Sequence, residues 1–190
     1  MKRRTCGLLA ALLLVTASAL QAADAPPAGS GLYVVAAAGS TRYGFDCWAT
    51  PFSCQGGHAT AAKGVLGWRG EQWGLELVAA DYGRASTDSS IASRPGETLR
   101  LQATGLAFTG TGRVADRWLV VARVGVMRVR HERTGEPTMR TWSPNVGLGG
   151  VWQAMPMLGV EFAWDLTSGE GSDSGTGMAN AFTVGVRLSF

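Results

Sequence analysis

Through most of this chain every second residue is apolar, in runs of about ten residues separated by polar or glycine-rich breaks. The final run shows the pattern cleanly. Phe182, Val184, Val186, Leu188 and Phe190 share one side, and Thr183, Gly185, Arg187 and Ser189 share the other. A period of two is that of a β-strand, whose side chains alternate between faces. Eight strands follow from it: Gly31 to Ser40, Thr60 to Arg69, Gln72 to Tyr82, Thr98 to Gly112, Arg117 to Arg130, Arg140 to Gln153, Met157 to Leu166, and Met178 to Phe190. Amphipathic helical spacing is absent from the same region.

The connections alternate in length. Gly70-Glu71, Arg113 to Asp116 and Ala154 to Pro156 are tight turns, whereas Thr41 to Ala59, Gly83 to Glu97, His131 to Met139 and Thr167 to Gly177 are long, polar or glycine-rich loops. Short turns at one end and long loops at the other predict an all-β fold, an eight-stranded antiparallel up-and-down transmembrane β-barrel. Such a barrel needs apolar residues outward and polar or small residues inward. The seventh strand sets Leu158, Val160, Phe162, Trp164 and Leu166 against Gly159, Glu161, Ala163 and Asp165, and the fifth directs Arg123 inward. The fourth is ambiguous, because Arg100, Gln102 and Thr104 share a face with Leu106 and Phe108. A bulge or a partly apolar lumen would reconcile it.

Tryptophan positions supply a second argument. Trp142 and Trp152 lie on one face of the sixth strand, ten residues apart, which at the usual rise and tilt spans about 25 Å of membrane height. Trp68, Trp73 and Trp118 lie beside short turns and join Trp152 in one girdle, while Trp142 and Trp164 belong nearer the other. A soluble barrel of lipocalin type also alternates, but points its apolar face inward and has no reason to bracket that face with tryptophans.

Composition needs one correction before it is used. Met1 to Arg4 is basic, Gly7 to Leu20 is apolar, and small residues follow, which is the layout of a secretory signal peptide over residues 1–22. The barrel domain is then 23–190. Removing Lys2, Arg3 and Arg4 leaves 14 basic residues against 14 acidic ones, so the basic pI belongs to the export signal and gives no support to a nucleic-acid partner. Cys6 departs with the signal. Cys47 and Cys54 remain, an even count in an exported chain, and favour a disulfide. With His58 they could instead supply three metal ligands within one loop, a poor zinc signature for want of a strong fourth.

The stretch "GVLGWRGEQWGLELVAADYGRAS", Gly64 to Ser86, resembles the second and third strands of the small OmpX/Ail-like and OmpA transmembrane-domain-like outer-membrane proteins. Phe190 at the terminus, with Leu188 and Val186 at alternating positions before it, is similar to the terminal-strand signal read by the outer-membrane assembly machinery. The resemblance implies export through the periplasm to the outer membrane of a Gram-negative bacterium. It also implies a monomer without cofactor, and work in adhesion, envelope integrity or, as the alternative, a narrow gated pore.

Two constellations are candidates for function. Lys63, Glu76, Arg100, Arg123, Glu161, Asp165 and Arg187 are assigned inward, and a lumen of eight strands is just wide enough to be filled by side chains. They read as a salt-bridged plug, or as a gate whose pairs exchange. At the outer rim, Arg128 and Arg130 continue the lipid-facing side of the fifth strand, and Arg133 and Arg140 flank the loop after it. Arginines there could bind lipopolysaccharide phosphates or another acidic surface, or simply be solvated. Catalysis is not expected, and a lipid A-modifying enzyme is the least favoured of the alternatives. His131, Glu132 and Ser143 can be drawn as a triad, with His58 the other histidine, but adjacent residues point apart on a strand. The "GLGG" of Gly147 to Gly150 reads as packing, and Ser168 to Gly177 as a flexible loop that could hold calcium only loosely.

Overall fold

The computed structural model describes residues 30–44, 58–86, 98–133, 135, 137–170 and 176–190. The signal peptide and the Cys47/Cys54 pairing fall outside these residues. Eight antiparallel strands form one closed barrel in sequence order. They are β1 (Gly31–Gly44), β2 (His58–Arg69), β3 (Trp73–Ser86), β4 (Thr98–Ala115), β5 (Trp118–Arg133), β6 (Met139–Gln153), β7 (Leu158–Glu170) and β8 (Thr176–Ser189).

The closing seam explains the alternation at the end of the chain. β8 pairs with β1 from Tyr33↔Ser189 to Gly44↔Met178, and the amide of Phe190 donates to the Leu32 carbonyl at 2.9 Å. Closure removes both sheet edges, which an apolar bilayer requires because it offers no water to unpaired backbone groups. Several strands run beyond the ends that hydrophobic alternation predicts, for example β1 to Gly44 and β5 to Arg133. The apolar alternation stops first, while backbone pairing carries on into polar sequence.

The fourth strand needs no bulge along its length from Thr98 to Gly112. Leu101, Ala103, Ala107 and Thr109 are buried inside, so Arg100, Gln102, Thr104, Leu106 and Phe108 together form its outward face. The lumen is apolar on this strand. The bulge sits instead in β3, between Asp81 and Arg84. Gly83 adopts φ +81° there, and a Cβ would run into the Thr60 carbonyl, so glycine is the residue the kink accepts. The bulge turns the carbonyls of Tyr82 and Gly83 toward the Tyr43 hydroxyl, at 2.9 and 3.0 Å.

Candidate functional site: the filled lumen and the basic rim

Inside the barrel, the buried charges lie in the middle and the half nearer the short turns, alongside Tyr33, Leu119, Val121 and Val151, and Tyr43, Tyr82, Met127 and Val129 with small side chains fill the half nearer the loops. Arg123 of β5 is the hub. Its Nε donates to Glu76 of β3 at 2.8 Å and its Nη2 to Glu161 of β7 at 2.6 Å. Glu161 also accepts from Arg187 of β8 at 3.4 Å, and that guanidinium lies 3.6 Å over the ring of Tyr33. Tyr33 in turn donates its hydroxyl to Glu76 at 2.5 Å, and Lys63 of β2 pairs with Asp165 of β7 at 2.5 Å. The three cations and three carboxylates balance, and all six side chains are nearly inaccessible. Such neutrality is what a low-dielectric interior demands, since an unpaired charge there is costly.

The glycines of "GLGG" make room for this hub. A Cβ on Gly147 would lie 2.6 Å from an Asp165 oxygen, and one on Gly149 would lie 3.1 Å from Nη1 of Arg123. The space bounded by Lys63, Glu76, Arg123, Met127 and Asp165 leaves no room for a water molecule.

Arg100 does not belong to this network. It lies on the outward face of β4 and is ion-paired with Asp81 of β3, where Gln102 adds a hydrogen bond at 3.1 Å. The alternation of β4 runs unbroken from Leu106 and Phe108, which lie outside, so Arg100 must lie outside with them. Glu132 stands directly opposite it on β5, and further arginines surround these two carboxylates. Arg84, Arg100, Arg128, Arg130 and Arg140 form one patch on the outward faces of β3 to β6 at the loop end. Two arginine pairs stand directly opposite each other across strands, Arg84↔Arg100 and Arg130↔Arg140, and Arg128 stands opposite Trp142. Arg130 reaches Glu132 at 2.8 Å, but Arg84, Arg128 and Arg140 have no ion pair among the described residues. Arg133 ends β5 opposite Leu99, and its side chain falls outside the described residues.

The remaining outward surface is apolar. Leu66, Leu75, Leu77, Leu106, Phe108, Val124, Leu148, Phe162, Phe182, Val184 and Val186 are each 44–65% exposed, a belt no water-soluble monomer would present. Trp68, Trp73, Trp118 and Trp152 border it at the turn end, with Trp68 and Trp73 packed edge to face at 5.0 Å and Trp118 directly opposite Trp152. Trp142, 69% exposed, borders it at the loop end.

The comparison with solved structures agrees. Neisserial surface protein A aligns with a TM-score of 0.64 at 15% identity, over 85% of this chain and 99% of that one. The outer membrane protein OprG of Pseudomonas aeruginosa aligns at 0.57 and 11% identity, over 88% and 99%. Ail, the attachment invasion locus protein of Yersinia pestis, aligns at 0.53 and 11% identity, over 85% and 99%. The fold is that of the small outer-membrane barrels. No protein-family model matches the chain, and no curated protein matches it in sequence.

In a barrel of this fold, chemistry must sit in the lumen, on the rim or in the loops. The lumen offers a filled ionic cluster. His131 faces inward near the loop end and its Nε2 meets the Thr141 hydroxyl at 3.2 Å, whereas Ser143 lies against Thr167 and Glu132 joins Arg130 outside. The drawn triad is therefore not assembled. His58 is exposed at the start of β2, opposite Arg42. Among the described residues no three His, Cys, Asp or Glu side chains converge as metal ligands. Sequence reading passed over Tyr33, which completes the hub, and Arg84, which joins the rim. The odd-numbered inward register of β1 pointed to Tyr33, but the bulge that turns Arg84 outward left no local signal.

Proposed function

We propose that this outer-membrane barrel is a non-enzymatic surface protein whose loop-end rim binds phosphate- or sulfate-rich polyanions, with lipopolysaccharide as the first ligand. The observation that carries this reading is that two arginine pairs stand directly opposite each other in register, Arg84↔Arg100 and Arg130↔Arg140. Like charges directly opposite on a sheet are destabilising, and Asp81 and Glu132 offset only part of this patch. An anion laid across it relieves the repulsion and accepts charge-assisted, often bidentate hydrogen bonds. Trp142 stands opposite Arg128, and tryptophan is enriched at headgroup height, which supports a phosphate-bearing lipid as the ligand. The similarly folded Ail of Yersinia pestis has been solved with the heparin analogue sucrose octasulfate, a ligand of the same polyanionic kind. Adhesion to an acidic surface and reinforcement of the envelope both follow from such a rim.

Replacing Arg128, Arg130 and Arg140 together with Ala is expected to weaken lipopolysaccharide binding by about 3 kcal/mol, roughly 100-fold, at about 1 kcal/mol per arginine. It should also flatten the dependence of affinity on salt. Titration of the barrel in lipid vesicles at two ionic strengths measures both, and unchanged affinity would remove the rim from the account.

The second reading, a narrow gated pore, is disfavoured by the space around Arg123, which leaves no room for water. A planar bilayer containing the purified barrel is expected to stay silent. Steady unitary openings would restore the pore.

A further inference from the structure

One titratable group at the loop end belongs neither to the ion network nor to the rim. His131 forms the last described pair of the β5–β6 ladder, opposite Met139, and its parity with buried Met127 and Val129 turns the ring inward. It is half-buried there, with Leu101 directly opposite on β4, Val129 one step deeper on its own strand, and Met139 and Thr141 on β6. Its Nε2 meets the Thr141 hydroxyl at 3.2 Å, a contact between strands that ties β5 to β6 at the end of their ladder.

A neutral imidazole suits this setting and a charged one does not. Among the described residues no carboxylate faces His131 from inside, since Glu76, Glu161 and Asp165 are ion-paired deeper in the barrel. The other inward titratable groups at this end are Tyr43 and Tyr82, and the Tyr43 hydroxyl donates to the carbonyls of Tyr82 and Gly83. On the outward side Arg130 and Glu132 flank His131 on β5, Arg100 stands on β4 and Arg140 on β6. Burial pushes the pKa of His131 below the ordinary histidine value of about 6.5.

The neighbouring rung is already under strain from like charges. Arg130 stands directly opposite Arg140, which weakens a sheet pair, and Glu132 at 2.8 Å from Arg130 offsets only part of it. Residues 139–144 of β6 pair with β5 but, among the described residues, not with β7, where the ladder ends at Asn145↔Thr167. The loop end of β6 is thus held through β5. A third cation at His131 would add to the repulsion on the side that holds it.

We infer that the loop end of the β5–β6 hairpin is a proton-sensitive latch: neutral His131 docks inward on Thr141 and holds the last rungs closed, whereas protonated His131 turns out to solvent and lets Met139 and Arg140 part from β5. The rungs are closed above the ordinary histidine value and loosen as pH falls below it, because the open form takes up a proton more readily than the closed one. The latch acts on strand ends beyond the Arg128↔Trp142 pair and leaves the lumen filled. It holds whatever ligand the rim takes.

The test uses the full-length barrel in phospholipid nanodiscs. Histidine NMR, assigned with a His58→Gln variant, is expected to give His131 a titration midpoint below about 6.5. Deuterium exchange, corrected for the intrinsic effect of pH, should quicken several-fold between about pH 7 and about pH 5 at residues 129–133 and 139–141, and stay unchanged at the turn end of the same hairpin, residues 118–122 and 149–152. His131→Gln, which keeps a polar partner for Thr141 but takes up no proton, should abolish the quickening. Leu101→Glu, which sets a carboxylate directly opposite His131, should raise the midpoint above about 6.5 and suppress the quickening. A midpoint at or above about 6.5 in the unmodified barrel would overturn the latch, and this reading needs no variant to assemble. So would exchange that acid does not quicken, or that it quickens equally in His131→Gln.

Discussion

Replacing Arg123 with Met is expected to destabilise the barrel by about 3–5 kcal/mol, the usual cost of breaking a buried ion pair by removing one partner. Glu76 and Glu161 would then both remain in the lumen, with Glu76 holding only Tyr33 and Glu161 only Arg187. The transfer of charges out of water has already been made in the folded state, and the mutation removes its compensation without removing the carboxylates. Lys63 and Asp165 provide the control, because they form a pair of their own. Lys63→Met alone should cost several kcal/mol, about as much as Arg123→Met. Lys63→Met with Asp165→Leu removes both charges, and its effect should fall within about 2 kcal/mol of zero. Urea unfolding in lipid vesicles reads all three. If each single substitution were as mild as the double, the lumen charges would be hydrated individually, and the lumen would be a wet channel rather than a plug.

Val124→Arg tests the opposite face and should cost about 2–4 kcal/mol, the penalty for a cation at the middle of the lipid-facing surface. Val124 lies opposite Phe108 and Val146 and is 58% exposed. It sits near the midpoint of β5 between Trp118, opposite Trp152, and Arg128, opposite Trp142. Val114→Arg supplies the comparison. That residue is as exposed, at 66%, but lies beside the β4–β5 turn, where a cation reaches the interface at a cost of about 0–1 kcal/mol. The contrast between two equally exposed valines reports depth in the bilayer rather than exposure. Equal effects would mean that water, not lipid, covers the belt.

The two experiments bear on function from different directions. A dry, balanced lumen leaves the rim and loops as the working surface and the pore as the lesser reading. A lipid-facing belt would fix the height of Trp142, and with it the height of Arg128, Arg130 and Arg140.

Alternation in single strands was enough to read the number of strands, their approximate spans, the short and long connections and the apolar outward face. Each of these depends on residues within one run, as in Phe182 to Phe190, where the face of every side chain follows from its parity. Parity also identified Lys63, Glu76, Arg123, Glu161, Asp165 and Arg187 as candidates for the interior. It could not say which carboxylate meets which cation, because Lys63 and Asp165 are 102 residues apart and meet only through the stagger of strands around the closed barrel. Arg100 was misplaced for a related reason. Its charge suggested the lumen, yet parity with Leu106 and Phe108 placed it outside, and at the loop end an outward charge sits in the headgroup layer rather than in hydrocarbon. The bulge at Asp81–Arg84 and the arginine pairs across strands belong wholly to the tertiary structure. Each is a property of register between neighbouring strands, and register is fixed by closure of the whole barrel, not by any segment alone.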